Sequence, residues 1–305
     1  NGWGAPHERS QPVRELNRNL SFRRGVTSMI DRQRLGESLV KGPFTATFAG
    51  GIYPGTSYFD KDSTVYYPFN LDAAKAEFAA AGLKDTDGDG ILNFPEGKGG
   101  GKNVEITLLG NSDFGADKSM AEGVVAMAEQ AGLRVILNMM TDNDRVNARN
   151  AGKFDWHINR NGSEYITVVQ NTDRLAPVGP KTTDFHRAPE GKDEVDMLDF
   201  ETAMVGVVNK FIAAKDSAER IALMKDYQKL HTENVYTVGL TAYPGALIIN
   251  KRFSNVAPGA PIFMYNWAED NIIRERVFVA ADKQAGLELF PDTLSDVPGG
   301  KGPVK

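Results

Sequence analysis

Hydrophobic and polar positions alternate most regularly in the middle of the chain, between Val104 and Ile158. Short β-branched runs with a period of two predict strands there, and small and apolar residues at helical spacing predict helices between them. The apolar residues of Leu133–Met140 are nearly continuous, which indicates a strand covered on both faces at the centre of a sheet. The predicted elements are a strand from Val104, a helix over Asp117–Gln130, the strand Leu133–Met140, a helix over Asp144–Ala151 and a third strand around Trp156.

The third strand alternates aromatic or aliphatic residues with polar ones. Phe154, Trp156 and Ile158 are predicted to share one face, with Asp155 and His157 on the other. Sharing a face with Ile158 favours a core position for both aromatic side chains over contact with a ligand. In an open α/β sheet, ligands bind beyond the carboxyl ends of the strands. The polar loop after this strand is therefore the first candidate binding site.

Two helical patterns precede this central unit. Leu20–Val40 has an apolar stripe and a basic face, which we expect to be solvated or ion-paired. Asn70–Ala81 is rich in alanine, with Asn70 or Asp72 as its cap, and Gly82 ends it. The basic face of the first helix consists of Arg18, Arg23, Arg24, Arg32 and Arg34.

Further helices and strands follow the central unit. Met197–Ala213 and Ser217–His231 predict two helices, and Val235–Asn250 predicts two strands. Thr167–Asp193 is irregular, contains proline and shows no core pattern. Strands and helices together predict an α/β protein.

Composition and charge narrow the function classes. The chain has 305 residues, 41% of them hydrophobic, which is enough to bury a substantial core. No apolar run approaches the roughly 20 residues that cross a bilayer. The net charge is -5 and the basic residues are dispersed, which argues against a nucleic-acid partner. Cysteine is absent, which excludes disulfides and thiol chemistry and fits an extracytoplasmic protein.

The sequence carries no recognisable catalytic motif, and we predict that the protein is not an enzyme. The histidines are far apart and form no short metal-binding spacing. No GxSxG elbow is present, and the glycine cluster after Glu96 lacks the phosphate-loop spacing. The four histidines are His7, His157, His186 and His231.

The segment from Asp85 to Glu96 has the complete spacing of an EF-hand-type calcium loop. Alternating oxygen ligands can wrap a hard cation, and Gly90 permits the sharp turn at the sixth position. Pro95 and the following glycines exclude the usual exit helix, so bound Ca²⁺ would stabilise a turn. A solvated acidic turn without metal is the alternative. The predicted ligands are the side chains of Asp85, Asp87, Asp89, Asn93 and Glu96 and the main-chain carbonyl of Ile91.

Five short motifs follow one another along the chain. They are SFRRGVTSMIDRQRL from Ser21, YYPFNLDAAKAEFAAAGLKDTDGDG from Tyr66, AGLRVIL from Ala131, GKFDWHI from Gly152 and ERIALMKDYQKLHTENVYTVGL from Glu219. In sequence and order they resemble the carboxyl-terminal half of family 5 solute-binding proteins, the dipeptide and oligopeptide receptors of ABC importers. The resemblance extends from about Val13 to Asn255, and five motifs in the same order make coincidence improbable.

The resemblance implies the second lobe of a type II periplasmic-binding-protein fold, with a mixed sheet flanked by helices. In that family two lobes enclose the ligand, and here almost nothing precedes the arginine-bearing helix. We therefore expect the chain to be a fragment that lacks the first lobe. The implied divisions are a connector over 1–12, the second lobe over 13–240, and a return segment with a flexible tail over 241–305.

The resemblance also implies where a ligand binds. An acidic residue of the loop after the third strand binds the ligand's α-amino group in peptide-binding relatives, and Glu164 occupies that position. The family's usual aspartate-proline motif is missing, which weakens the case for a peptide. Arg160 can hold a carboxylate through its bidentate guanidinium. Asn159 and Asn161 complete the predicted ligand-binding set.

The resulting hypothesis is a periplasmic substrate-binding component of an ABC importer that captures a small polar solute and docks on a membrane permease. Peptides are the default cargo, and an oligosaccharide is the alternative. Two other classes remain open. One is a calcium-stabilised extracellular interaction module, and the other is a hydrolase with unrecognised carboxylates.

Overall fold

The computed structural model of the chain describes residues 11–39, 46–97, 100–151, 153–159, 168–169, 172–177, 197–242, 250–256 and 274–283. Contacts group the chain into two compact units, Asn1–Pro244 and Gly245–Lys305. The described helices are α1 Gln11–Arg18, α2 Leu20–Ser28, α3 Arg32–Leu39, α4 Leu71–Ala80, α5 Gly115–Gln130, α6 Asp142–Asn150, α7 Asp199–Ala213 and α8 Ser217–Glu233. The described strands are β1 Ala46–Thr47, β2 Glu105–Asn111, β3 Arg134–Met140, β4 Trp156–His157, β5 Thr241–Ala242, β6 Phe253–Ser254 and β7 Phe278–Val279.

A parallel three-stranded sheet with the order β3-β2-β4 lies in the first unit. Leu109 of β2 lies opposite Asn138 of β3 and His157 of β4. The predicted strands and the helices between them are confirmed, but Leu133–Met140 does not take the expected central position among the described strands. Among the described strands β2 is central and β3 lies at the edge, where Ile136 is 41% exposed. A continuous apolar run therefore did not distinguish a central strand from an edge strand that helices partly cover.

The helix predicted over Leu20–Val40 is two helices, α2 and α3. The carbonyl of Ser28 accepts a hydrogen bond from the backbone N–H of Asn70, at 2.9 Å. That contact replaces the bond that an uninterrupted helix would make to the N–H of Arg32. The apolar stripe is buried as predicted, and Phe22 packs against Phe78 of α4 with ring centroids 5.5 Å apart.

Arg32 and Arg23 depart from the prediction of a solvated or ion-paired face, whereas Arg34 is exposed as predicted. Arg32 is only 3% exposed, and its guanidinium donates to the carbonyls of Gly239 and Tyr67 at 2.7 and 3.2 Å. It also contacts the Thr27 hydroxyl. Arg23 donates to two further main-chain carbonyls. Three of these four carbonyls belong to distant segments, and a helical-face pattern carries no information about such acceptors.

A second core forms around α7 and α8. Tyr227 of α8 is buried and donates its hydroxyl to the carbonyl of Leu175, at 2.9 Å. Val168, Leu175 and Ala176 all lie in this core. The expectation that Thr167–Asp193 makes no core contribution is therefore wrong for the described part of that segment. Isolated apolar residues in an irregular segment have no period by which a sequence could reveal them.

Two extended segments cross at close range within the first unit. Strand β1 pairs antiparallel with β5, and the N–H of Phe48 donates to the carbonyl of Leu240. Gly239 lies so close to the other segment that a Cβ atom built there would be 2.3 Å from the nitrogen of Gly50 and from the carbonyl oxygen of Phe48. Only glycine allows the two backbones to approach this closely. Whether the first unit ends where the sequence analysis divides the chain stays a prediction.

The second unit contributes a short antiparallel pair. Phe253 of β6 lies opposite Val279 of β7, and Ser254 lies opposite Phe278. The α/β class predicted from the sequence is confirmed, with parallel and antiparallel pairing both present. No helix in the part of the chain that the structure describes is long and apolar enough to cross a membrane.

Candidate functional site

The carboxyl ends of β2, β3 and β4 lie at one edge of the parallel sheet, which is called the carboxyl edge below. Asn159 follows β4 and is exposed at this edge. The other predicted ligand-binding residues, Arg160, Asn161 and Glu164, lie outside the described residues. Their role stays a prediction.

Polar side chains from all three strand ends form a hydrogen-bond network at the carboxyl edge. Asn111, at the end of β2, donates its amide N–H to the Asp142 carboxylate at 2.9 Å. The N–H of Asp142 donates to the Asp113 carboxylate at 2.8 Å. Arg145 of α6 donates to the same Asp142 oxygen at 2.7 Å, and it lies 2.9 Å from Nε2 of His157. The network therefore holds the exposed carboxylates of Asp113 and Asp142 beside the guanidinium of Arg145.

The position of α6 explains why these groups meet. Thr141 caps the helix by accepting from the N–H of Asp144, so α6 begins directly after β3 at the carboxyl edge. Arg145, one turn into the helix, is 8% exposed and lies against β4. Burying a guanidinium is tolerated here because Asp142 lies within ion-pair distance.

His157 stays neutral in the folded protein. Burial, and next the positive charge of Arg145, lower the pKa of His157 to about 3. A protonated ring would have to lose its hydration in contact with a cation, which is unfavourable. The imidazole is therefore uncharged throughout the physiological pH range.

Strand β4 is held in place by side-chain hydrogen bonds as well as by its backbone hydrogen bonds to β2. The Asp155 carboxylate accepts the N–H of Thr107 in β2 at 2.8 Å. The indole N–H of Trp156 donates to Asn17 of α1 at 2.9 Å. The predicted alternation is wrong for Phe154, which packs with Leu109 and not with Ile158. Its core position is confirmed.

Sequence reasoning identified the segment after β4 as a candidate site, but it assigned no role to His157 and missed Asn111, Asp142 and Arg145. Asn111, Asp142 and His157 follow the rule that polar residues at the carboxyl ends of parallel strands meet at one edge. The signal was therefore available once three parallel strands had been predicted. Nothing in the spacing indicates that the Arg145 guanidinium reaches across to β4.

The acidic loop brings part of its predicted ligand set together. One carboxylate oxygen each of Asp85, Asp87 and Asp89 lies within 4.8 Å of the others. The N–H groups of Gly88 and Gly90 donate to the Asp85 carboxylate, and the Gly88 bond is the main cause that lowers the pKa of Asp85. The three carboxylates are thus preformed as a group that fits a hard cation.

Asn93, another of the predicted calcium ligands, has its side chain engaged by other residues. Asn93 is buried, and its side-chain oxygen accepts from the N–H and hydroxyl of Thr86 at 2.7 and 2.8 Å. Its amide N–H donates to Asn103. Asn93 therefore supports the turn with its own amide, and the N–H of Ile91 donates to the Asp89 carboxylate at 2.8 Å. Glu96 is not among the described carboxylates that lie together.

A family model of bacterial extracellular solute-binding proteins, family 5 (middle region), matches residues 8–180, more than half of the chain. The chain belongs to this family. Membership confirms the resemblance found in the sequence and the predicted extracytoplasmic location.

Two relatives are similar over at least 95% of the chain. The periplasmic alpha-galactoside-binding protein of Rhizobium meliloti (strain 1021) is 60% identical over 304 residues, which is 100% of this chain and 44% of that protein. The structure of MelB from Agrobacterium fabrum C58 in complex with stachyose matches with 60% identity and a TM-score of 0.86, covering 95% of this chain and 43% of that one. The chain therefore spans less than half the length of these relatives.

A more distant structure shows the fold alone. The oligopeptide-binding protein AppA from Bacillus subtilis, in complex with a nonapeptide, is 17% identical with a TM-score of 0.66, and it covers 91% of this chain and 49% of that one. The predicted lobe of a type II periplasmic-binding-protein fold is confirmed by these structures.

Proposed function

We propose that the chain is part of the solute-binding component of an ABC importer and that its cargo is an oligosaccharide with α-galactosyl groups. The observation that carries this proposal is the 60% identity over the whole chain to an alpha-galactoside-binding protein, together with the similar fold of a stachyose-bound protein. The peptide-bound neighbour is only 17% identical, which supports no peptide ligand here. The oligosaccharide alternative of the sequence analysis is therefore preferred to its peptide default.

The mechanism that we propose is capture without catalysis. The described lobe would form one wall of the site, and a second lobe would close over the solute by a hinge movement. The closed form would then dock on the membrane permease. This chain spans only 43% and 44% of the length of the two relatives. That difference in length supports a second lobe.

The chemistry of the carboxyl edge supports a neutral polar solute. Sugar hydroxyls both donate and accept hydrogen bonds. The exposed carboxylates of Asp113 and Asp142 provide acceptors, and the N–H groups of Asn111 and Arg145 hold the Asp142 carboxylate in place. Asn159, Arg160, Asn161 and Glu164 are the proposed ligand-binding residues on the adjoining loop.

Calorimetric titration of the protein at its natural length tests the cargo. Stachyose is expected to bind at least about 100-fold more tightly than a nonapeptide, because hydrogen-bonding groups arranged for hydroxyls are left unsatisfied by the wrong ligand. Maltotetraose, a tetrasaccharide without galactose, is the matched control for size. Equal affinity for the peptide would refute the oligosaccharide proposal.

We further propose that Ca²⁺ binds the acidic loop and stabilises the turn after α4. The three carboxylates of Asp85, Asp87 and Asp89 support this proposal, since they already lie within 4.8 Å of one another. Asn93 would act by shaping the turn, because its amide is engaged with Thr86 and Asn103.

Thermal unfolding in Ca²⁺ and in chelator tests the calcium proposal. A concentration of about 100 times Kd is expected to raise Tm by roughly 5 °C, because ligand binding to the folded state alone stabilises it by about 2.7 kcal/mol. Asp87→Ala should abolish the increase. Asp226→Ala, an exposed aspartate on α8, should keep it. An increase that survives in the Asp87 variant would exclude this loop as the site.

A further inference from the structure

The contact between Arg145 and His157 determines which ring nitrogen of His157 carries the proton. A guanidinium has only N–H donors and no acceptor. Nε2 of His157 lies 2.9 Å from an Arg145 nitrogen and must therefore present its lone pair. Because the ring is neutral, its proton is on Nδ1. Arg145 thus selects the Nδ1–H tautomer.

His231, the other described core histidine, has no neighbour that determines its tautomer in this way. Nε2 of His231 lies 3.2 Å from the hydroxyl of Thr237, which can either donate or accept. His231 is packed between the rings of Tyr227 and Tyr236 in the second core. Its environment therefore does not select a tautomer, and its Nδ1 is buried without a partner among the described residues.

The Nδ1–H donor of His157 has no acceptor among the described residues, where the hydrogen bonds of this side chain run to Arg145 alone. His157 is a half-buried residue, so this donor is accessible to another molecule. Nε of Arg145, by contrast, is buried without a partner among the described residues, and a buried N–H group without an acceptor is costly. His157 is the last residue of β4 and lies at the carboxyl edge, two residues before exposed Asn159.

We propose that His157 determines specificity by donating its Nδ1–H to a hydroxyl oxygen of the bound saccharide, and that Arg145 is the positioning residue that holds this tautomer. The inference rests on the proposed function and deepens it by assigning a donor. A fixed neutral N–H suits a hydroxyl oxygen. It cannot accept a bond from the ammonium group of a peptide.

Two substitutions of His157 separate ligand binding from stability. Glutamine places an amide near the position of Nε2, so its oxygen can accept from Arg145, but it leaves no donor at the position of Nδ1. Asparagine places its amide near Nδ1 and leaves Arg145 without its acceptor. His157→Gln is therefore expected to keep the higher Tm and to lose about tenfold in stachyose affinity. His157→Asn is expected to have the lower Tm and to stay within about threefold of the wild-type affinity.

The opposite order of Tm and affinity is the decisive result, because a purely structural residue would lower both together. The titration uses the protein at its natural length. A wild-type protein that does not bind stachyose refutes the proposed function, and this inference with it. A wild-type protein that binds stachyose while His157→Gln binds it equally well overturns the inference alone.

Nitrogen NMR of the imidazole gives a test that does not depend on the ligand. The wild-type ring should show a protonated Nδ1 and an unprotonated Nε2. Arg145→Met removes the donor to Nε2 and should shift the population toward the Nε2–H tautomer. A wild-type ring protonated on Nε2 would overturn the assignment, even if the His157 variants failed to fold.

Discussion

Replacing Arg32 by methionine is expected to lower the free energy of unfolding by about 3 kcal/mol. Methionine keeps most of the buried volume and removes the guanidinium. The carbonyls of Gly239 and Tyr67 and the Thr27 hydroxyl then lose their donor inside the protein. Burial lowers the pKa of Arg32, so removing the charge recovers some desolvation free energy. Three lost hydrogen bonds outweigh that gain, because each buried acceptor left unsatisfied costs about 1–3 kcal/mol.

Chemical denaturation with an unchanged m-value measures this effect. The matched control is Arg34→Met on the same helix, where the arginine is exposed. Its substitution should change stability by less than about 0.5 kcal/mol. Equal losses in the two variants would show that Arg32 contributes no more than a surface arginine.

Gly239→Ala is expected to lower the free energy of unfolding by at least about 2 kcal/mol. The added methyl group would lie 2.3 Å from backbone atoms of Phe48 and Gly50. Backbone atoms cannot rotate away as a side chain can, so one of the crossing segments must move. Strand pairing between β1 and β5 would be strained as a result.

Gly206→Ala provides a control with the opposite sign. Gly206 lies inside α7, and nothing lies within 4 Å of an added Cβ. Alanine there should raise the free energy of unfolding by about 0.5–1 kcal/mol through higher helix propensity. Thermal or urea unfolding of the two variants measures both signs. Two stabilising substitutions would mean that the crossing is looser than described.

Periodic segments could be predicted from the sequence, and contacts between distant segments could not. The helices α4, α5, α7 and α8 are found where apolar spacing and caps place them. The break between α2 and α3 arises from the Asn70 contact to Ser28, across a long loop. Arg32 is buried for the same kind of reason, since its acceptors lie 35 and 207 residues away.

The candidate site shows the same division. The edge of the sheet was predictable, because parallel strands must end together. The tautomer of His157 depends on Arg145, which comes from another element. For the acidic loop, the spacing describes three carboxylates correctly, but burial decides that Asn93 supports the turn.

The hydrogen bond between Trp156 and Asn17 gives this chain a built-in optical reporter. The indole is half-buried between α1 and the strand that leads to Asn159. Indole emission shifts when the ring gains or loses a hydrogen-bond partner or contact with water. Any displacement of α1 relative to β4 would therefore shift the emission wavelength of Trp156, so the movement could be followed without an added label.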